Sequence, residues 1–134
     1  MRDDSWYEGW LTKACEHLES GELLFSQGKL RDAITRYYYA AFSLMVAVCG
    51  KPKKGRWEHK GILKYFSLWL YERGNLLLED ELDLLYEFYE KRRVADYTLE
   101  GITEDVVRSY RILVKRMFEV LKDGRRKNSF RNPE

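Results

Sequence analysis

The sequence predicts an all-α protein, an antiparallel four- or five-helix up-and-down bundle. Three observations carry that prediction: apolar residues recur at helical spacing along the chain, no segment of useful length alternates with period two, and the breaks between helical stretches are short. The chain has 134 residues, 45% apolar and 34% charged, with 9 Gly and 2 Pro. That composition builds one core and leaves no room for a two-domain enzyme.

Helix 1 is predicted from Trp6, Trp10, Ala14 and Leu18, which fall at i, i+4 with Tyr7, Leu11 and Leu24 beside them; it stops near Gly28. Helix 2 runs from about Leu30 to Cys49 and is apolar nearly all round after Tyr37, so it is expected at the centre. Gly50 is its stop, and Pro52 prevents continuation. A basic loop, Lys51 to Trp57, leads to helix 3, with Ile62, Leu63, Phe66, Trp69 and Leu70 as its core stripe and Tyr65, Leu68 and Tyr71 on the other side. Gly74-Asn75 closes it. Helix 4 is expected over about Glu79 to Val94, with Leu82, Leu85, Phe88 and Tyr89 inward and an outward arc of Asp80, Asp83, Glu87 and Glu90. After an irregular stretch from Ala95 to Gly101, Thr103 is the expected N-cap of helix 5, with Ile102 and Val107 as a hydrophobic staple. Val106, Tyr110, Leu113, Val114, Met117 and Leu121 give helix 5 its stripe. The expected division is a bundle over 1–123 and a basic flexible tail over 124–134.

Two cysteines, Cys15 and Cys49, without C-x-x-C spacing, and a start that does not resemble a signal peptide point to a reducing cytoplasm. The longest apolar run, Tyr37 to Cys49, is too short to span a membrane, so no membrane role is expected. The net charge is only +2, yet basic residues collect at Lys51, Lys53, Lys54, Arg56 and Lys60, and acids collect between Glu72 and Glu90. A local basic loop of this kind either attracts phosphate or is an ordinary solvated connection. The 20 aromatic residues exceed what one small core needs. Tyr65, Tyr71, Trp57 and part of the Tyr37/Tyr39 pair are left over, so helix 3 and its preceding loop are expected to contribute to a homodimer interface.

Gly50 to Gly55 has the G-x4-G spacing of a phosphate loop, but Arg56-Trp57 replaces the required Lys-Ser/Thr and a helix precedes it where a strand is needed. Cys15 with His17, and Cys49 with His59, never reach a four-ligand zinc spacing, so neither metal nor cofactor is expected. Three polar features stand apart from the apolar pattern. Arg36 precedes Tyr37-Tyr38-Tyr39 at the entrance to the most apolar stretch and needs a partner there; His59 opens helix 3; and Arg92-Arg93-Val94-Ala95-Asp96-Tyr97 closes helix 4. Arg93 and Asp96 are spaced as i, i+3 partners, and Asp96 is also the expected partner of Arg36. A buried network that fixes helix register and a ligand site are both open readings of this set.

The segments that carry these features resemble, in order, one family. Lys13-Ala14 through Leu23-Leu24, Gly28 through Ala33, Thr35 through Phe42, His59-Lys60-Gly61, Arg93 through Tyr97 and Thr103-Glu104-Asp105 resemble the HEPN domain, and most closely its small stand-alone prokaryotic branch with R-x-Y-Y-A, H-K-G and R-x-x-A-D-Y. The resemblance covers about residues 10 to 122. It implies a four- or five-helix bundle, homodimerisation, and pairing with a minimal nucleotidyltransferase in a two-gene toxin-antitoxin module. It also implies, for many members, a metal-independent RNase with an R-x4-6-H motif, in which Arg and His act on the phosphodiester by acid/base catalysis and charge stabilisation. This chain departs there, since no histidine follows Arg92 and Arg93. The expected reading is therefore a homodimeric component that binds RNA, a nucleotide or a nucleotidyltransferase. Its polar cluster would comprise Arg36, Tyr38, Tyr39, His59, Arg93, Asp96 and Tyr97, with Lys51, Lys53, Lys54 and Arg56 attracting phosphate. The alternative is an atypical RNase built from Arg92, Arg93 and His59.

Overall fold

The computed structural model describes the backbone of residues 5–131 and the side chains of residues 5–121. Five helices follow one another: α1 (Ser5–Ser26), α2 (Leu30–Cys49), α3 (His59–Glu72), α4 (Glu79–Tyr97) and α5 (Glu104–Arg131), with no strand among the described residues. The expected bundle is what forms. The stops fall where glycine permits them. Gly28 (φ 73°) ends α1, with Lys29 N–H donating to the Leu24 carbonyl at 2.9 Å, and Gly74 (φ 91°) ends α3, with Asn75 N–H donating to the Leu70 carbonyl at 2.8 Å. At the start of α5 the Thr103 hydroxyl accepts from Val106 N–H at 3.3 Å, as an N-cap does.

The almost continuously apolar α2 packs against each of the other four helices and is buried along most of its length. Its core neighbours include Ala14 of α1, Phe66 of α3, Phe88 of α4, and Tyr110 and Val114 of α5. Phe88 and Tyr110 stack with planes 3° apart and centroids at 4.2 Å, joining α4 to α5.

Two features matter for the site. Of the Tyr37/Tyr39 pair, part of which was expected to be left over, Tyr37 is wholly buried and Tyr39 half-buried; Tyr37 fits because Gly21 of α1 has no side chain, and a Cβ there would lie 2.9 Å from its ring. Second, α4 does not stop at Val94 but continues to Tyr97. Arg31 of α2 holds that end by donating to the carbonyls of Ala95 (2.6 Å), Thr98 (3.0 Å) and Glu100 (2.6 Å). The added turn puts Asp96 one helical turn beyond Arg92. At the other end of the chain, the backbone of α5 stays helical to Arg131, through part of the expected tail; the side chains of that tail lie outside the described residues.

Candidate functional site

The centre of the candidate site is Arg92, which retains 5% of its exposure. Its Nη1 donates to Asp96 Oδ2 at 3.0 Å, while its Nε is buried without a partner. The guanidinium lies 5.0 Å from the Tyr38 ring centroid and 5.7 Å from those of Tyr39 and Tyr89. Burial works against this charge, but the Asp96 hydrogen bond and the surrounding tyrosines outweigh it, and the Arg92 pKa is raised. Thr35 Oγ1 donates to the other Asp96 oxygen at 2.6 Å, so the carboxylate is oriented from α2 as well as α4.

His59 faces the same tyrosine, its Nδ1 2.6 Å from Tyr38 Oη. Its ring stacks on Tyr89 (centroids 5.2 Å) and approaches Phe42 (4.9 Å). Burial, and then the positive Arg92, hold His59 below its ordinary pKa, so the imidazole is neutral near pH 7. Burial also raises the Tyr38 pKa, which keeps the phenol protonated. The Tyr38 hydroxyl has no other acceptor among the described residues, so we assign it as the donor to His59 Nδ1; Nε2 then carries the ring proton. The cluster is thus an always-charged donor beside a neutral imidazole, held by one tyrosine between them.

Two cavities flank this cluster, with Tyr39 lining both. One, of about 340 Å³, is lined by His59 and by Trp6, Trp10, Phe42 and Trp57. The other, of about 420 Å³, is lined by Asp32, Thr35, Arg36 and Asp96.

The structure brings together Tyr38, Tyr39, His59 and Asp96 of the expected cluster and adds Arg92, which had been singled out only as a catalytic alternative. It separates the rest. Arg93 is exposed, with Glu90 at 4.0 Å and the Tyr89 ring centroid at 5.9 Å, because the Asp96 carboxylate expected for it is taken by Arg92, one full turn away on the same helix, and by Thr35. Arg36 is also exposed, with Nη1 3.5 Å from His17 Nδ1, and the Asp96 carboxylate expected for it is taken by Arg92 and Thr35. Tyr97 is 75% exposed. In the basic loop Lys53 and Lys54 are solvated, Arg56 lines the aromatic cavity, and Lys51 Nζ lies 5.8 Å from the Trp6 ring. Thr35, Tyr89 and the Trp6/Trp10/Trp57 group were missed as site residues. The i, i+4 spacing of Arg92 and Asp96 was the available signal.

No helix among the described residues is long and apolar enough to cross a membrane. Fold and site together define a small all-helical bundle whose interior carries an arginine-tyrosine-histidine cluster contributed by α2, α3 and α4. The HEPN domain model matches residues 7–124, and the chain belongs to that family. It is 30% identical over 118 residues to the "Putative toxin MJ0605" of Methanocaldococcus jannaschii, covering 81% of this chain and 83% of that one. It is likewise 30% identical over 102 residues to the UPF0332 protein PH1297 of Pyrococcus horikoshii, covering 75% of this chain and 68% of the relative. A UPF0332 protein of Thermotoga maritima is 30% identical over 91 residues, 67% of each chain.

Proposed function

We propose that this chain is the HEPN component of a toxin-antitoxin-type module and that it binds RNA or a nucleotide at the Arg92 cluster. The carrying observation is the buried Arg92, fixed by Asp96 and three tyrosine rings, with a neutral imidazole on the same tyrosine. A guanidinium held in this way is suited to a phosphate oxygen, and the Nε2–H of His59 supplies a second donor. The name of the Methanocaldococcus relative supports the toxin side of the reading. Pairing with a minimal nucleotidyltransferase in the cytoplasm completes it. Homodimerisation is supported by Tyr65, Leu68 and Tyr71, which leave α3 about half to two-thirds exposed on the face predicted for a second chain.

One observation favours a second reading, metal-independent RNA cleavage. The R-x4-6-H histidine is missing from α4, but His59 brings an imidazole to Arg92 from α3. In the other tautomer, with Nδ1–H donating to Tyr38 Oη, His59 Nε2 would take the proton of the ribose 2′-hydroxyl as that oxygen attacks phosphorus and return it to the departing 5′-oxygen, while Arg92 holds the charge on phosphorus-bound oxygen.

One assay tests both. Purified protein is incubated with single-stranded RNA in EDTA, and binding and cleavage are followed for wild type, Arg92→Ala, His59→Ala and the exposed Arg93→Ala. Binding that falls steeply with salt, and weakens about tenfold or more in the first two variants but not the third, is the expected result. Absence of RNA and nucleotide binding by wild type overturns the proposal. Cleavage lost in both Arg92→Ala and His59→Ala establishes the second reading.

A further inference from the structure

The aromatic cavity beside His59 is built differently from a packing gap. Trp6 and Trp10 come from α1, Tyr39 and Phe42 from α2, Trp57 from the α2–α3 connection and His59 from α3. The space between them, a half-open cleft of about 340 Å³, lies in the range of small-molecule sites, roughly 300–1,000 Å³. Two indoles have their polar edges fixed by backbone: Trp6 Nε1 donates to the Val46 carbonyl at 2.9 Å and Trp57 Nε1 to the Gly50 carbonyl at 2.7 Å. What those rings offer a ligand is therefore surface for stacking.

Cations stand in and next to this cleft. Arg56 is part of the wall, while Lys51, with Nζ 5.8 Å from the Trp6 ring centroid, and Lys13, with Nζ 4.8 Å from that of Trp10, line the adjoining cleft that shares these two indoles. An apolar ligand would not use them. Rings for a planar group, with cations for an anion attached to it, describe a nucleobase and its phosphate.

We infer that this cavity takes one unstacked nucleobase, stacked among Trp6, Trp10 and Trp57, with its 5′-phosphate toward Arg56 and Lys51. The inference rests on the RNA- or nucleotide-binding reading and gives it a base subsite beside the Arg92 cluster. The same chemistry is presented by a free mononucleotide and by a residue of single-stranded RNA.

Tryptophan fluorescence reads the cavity directly, because three of the four tryptophans line it and the fourth, Trp69, stacks on Phe66 instead. The full chain is titrated with nucleoside 5′-monophosphates, ribose 5-phosphate, a single-stranded RNA, and an abasic strand of equal length; strand affinity is followed in parallel by fluorescence anisotropy. Saturable quenching by base-bearing ligands but not by ribose 5-phosphate is expected, with the abasic strand about tenfold weaker or worse than the intact one. Quenching by mononucleotides identifies a free nucleotide as a sufficient ligand; quenching by the strand alone identifies RNA. Trp10→Leu should abolish the quenching, and Arg56→Ala, an exposed substitution, should weaken it while circular dichroism stays that of wild type. Intact and abasic strands binding equally, without quenching, would overturn the base subsite and leave the RNA reading standing. No binding of any of these ligands would overturn both.

Discussion

Tyr37 and Tyr38 are neighbours in the sequence, both wholly buried, and each places its hydroxyl in a hydrogen bond to another helix. Tyr37 donates to Glu22 Oε1 at 2.5 Å. That carboxylate is in turn forked by Arg111, at 2.6 and 3.0 Å, and met by Lys115 at 3.1 Å, so α1, α2 and α5 close a network with cations around one anion. Tyr38 leads to His59 and Arg92, where the histidine has an uncommitted ring nitrogen, the buried arginine Nε has no partner, and cavities lie on either side. The residue type and burial are the same; the difference is completeness. A network whose groups satisfy one another holds helices together, whereas one that stays buried with donors to spare is poised for a ligand.

The largest effect is expected on the closed side. Tyr37→Ala should cost about 3–5 kcal/mol in denaturant unfolding, since a wholly buried ring and the partner of Glu22 go together. Gly21→Ala should cost about 1–3 kcal/mol despite alanine's better helix propensity, because the new methyl would meet the Tyr37 ring at 2.9 Å. A neutral or stabilising result at Gly21 would mean that Tyr37 can shift and the network is not rigid.

Acid tests the same network. The Arg111 hydrogen bonds, reinforced by Tyr37 and Lys115 against a smaller cost of burial, hold Glu22 at about 2 against an ordinary 4.5. A carboxylate depressed in the folded state contributes stability above its unfolded pKa and loses it as pH falls, here from about 4.5 to about 2. With the side chain about one-third exposed, the loss should be about 1–2 kcal/mol after solvent screening, and Glu22→Gln should remove most of that slope. Unfolding midpoints measured across that window check it. Smallest of all, Tyr38→Phe should cost no more than about 1 kcal/mol, since it deletes one hydrogen bond between neutral groups. Its consequence belongs to binding.

The helices were legible in the sequence because apolar spacing and glycine stops are local signals, and α2 stood out as central by being apolar all round. The site was legible as a set of residues but not as pairs. Arg93 (i, i+3) and Arg92 (i, i+4) are both spaced to reach Asp96, and spacing alone does not say that the buried Arg92 takes it. Arg31, which holds α4 to Tyr97, does so through backbone carbonyls 64 to 69 residues away, and no side-chain pattern announces such a contact. Which of Tyr37 and Tyr39 is the buried one was illegible for a related reason: the burial of Tyr37 depends on the absence of a side chain at Gly21, on another helix. The tryptophan cavity was hidden because Trp6 and Trp10 fit a core stripe equally well, and Trp57 joins them only through the path of the 50–58 connection.

The claim that the two tyrosine networks divide structure from binding is tested most directly by one paired measurement: the affinity for single-stranded RNA of Tyr37→Phe and Tyr38→Phe, at matched salt and below the unfolding temperature of both. The account predicts that Tyr38→Phe, by freeing His59 from its position, weakens binding about tenfold, while Tyr37→Phe binds as wild type does. Equal affinities in the two variants, or a loss confined to Tyr37→Phe, would contradict it.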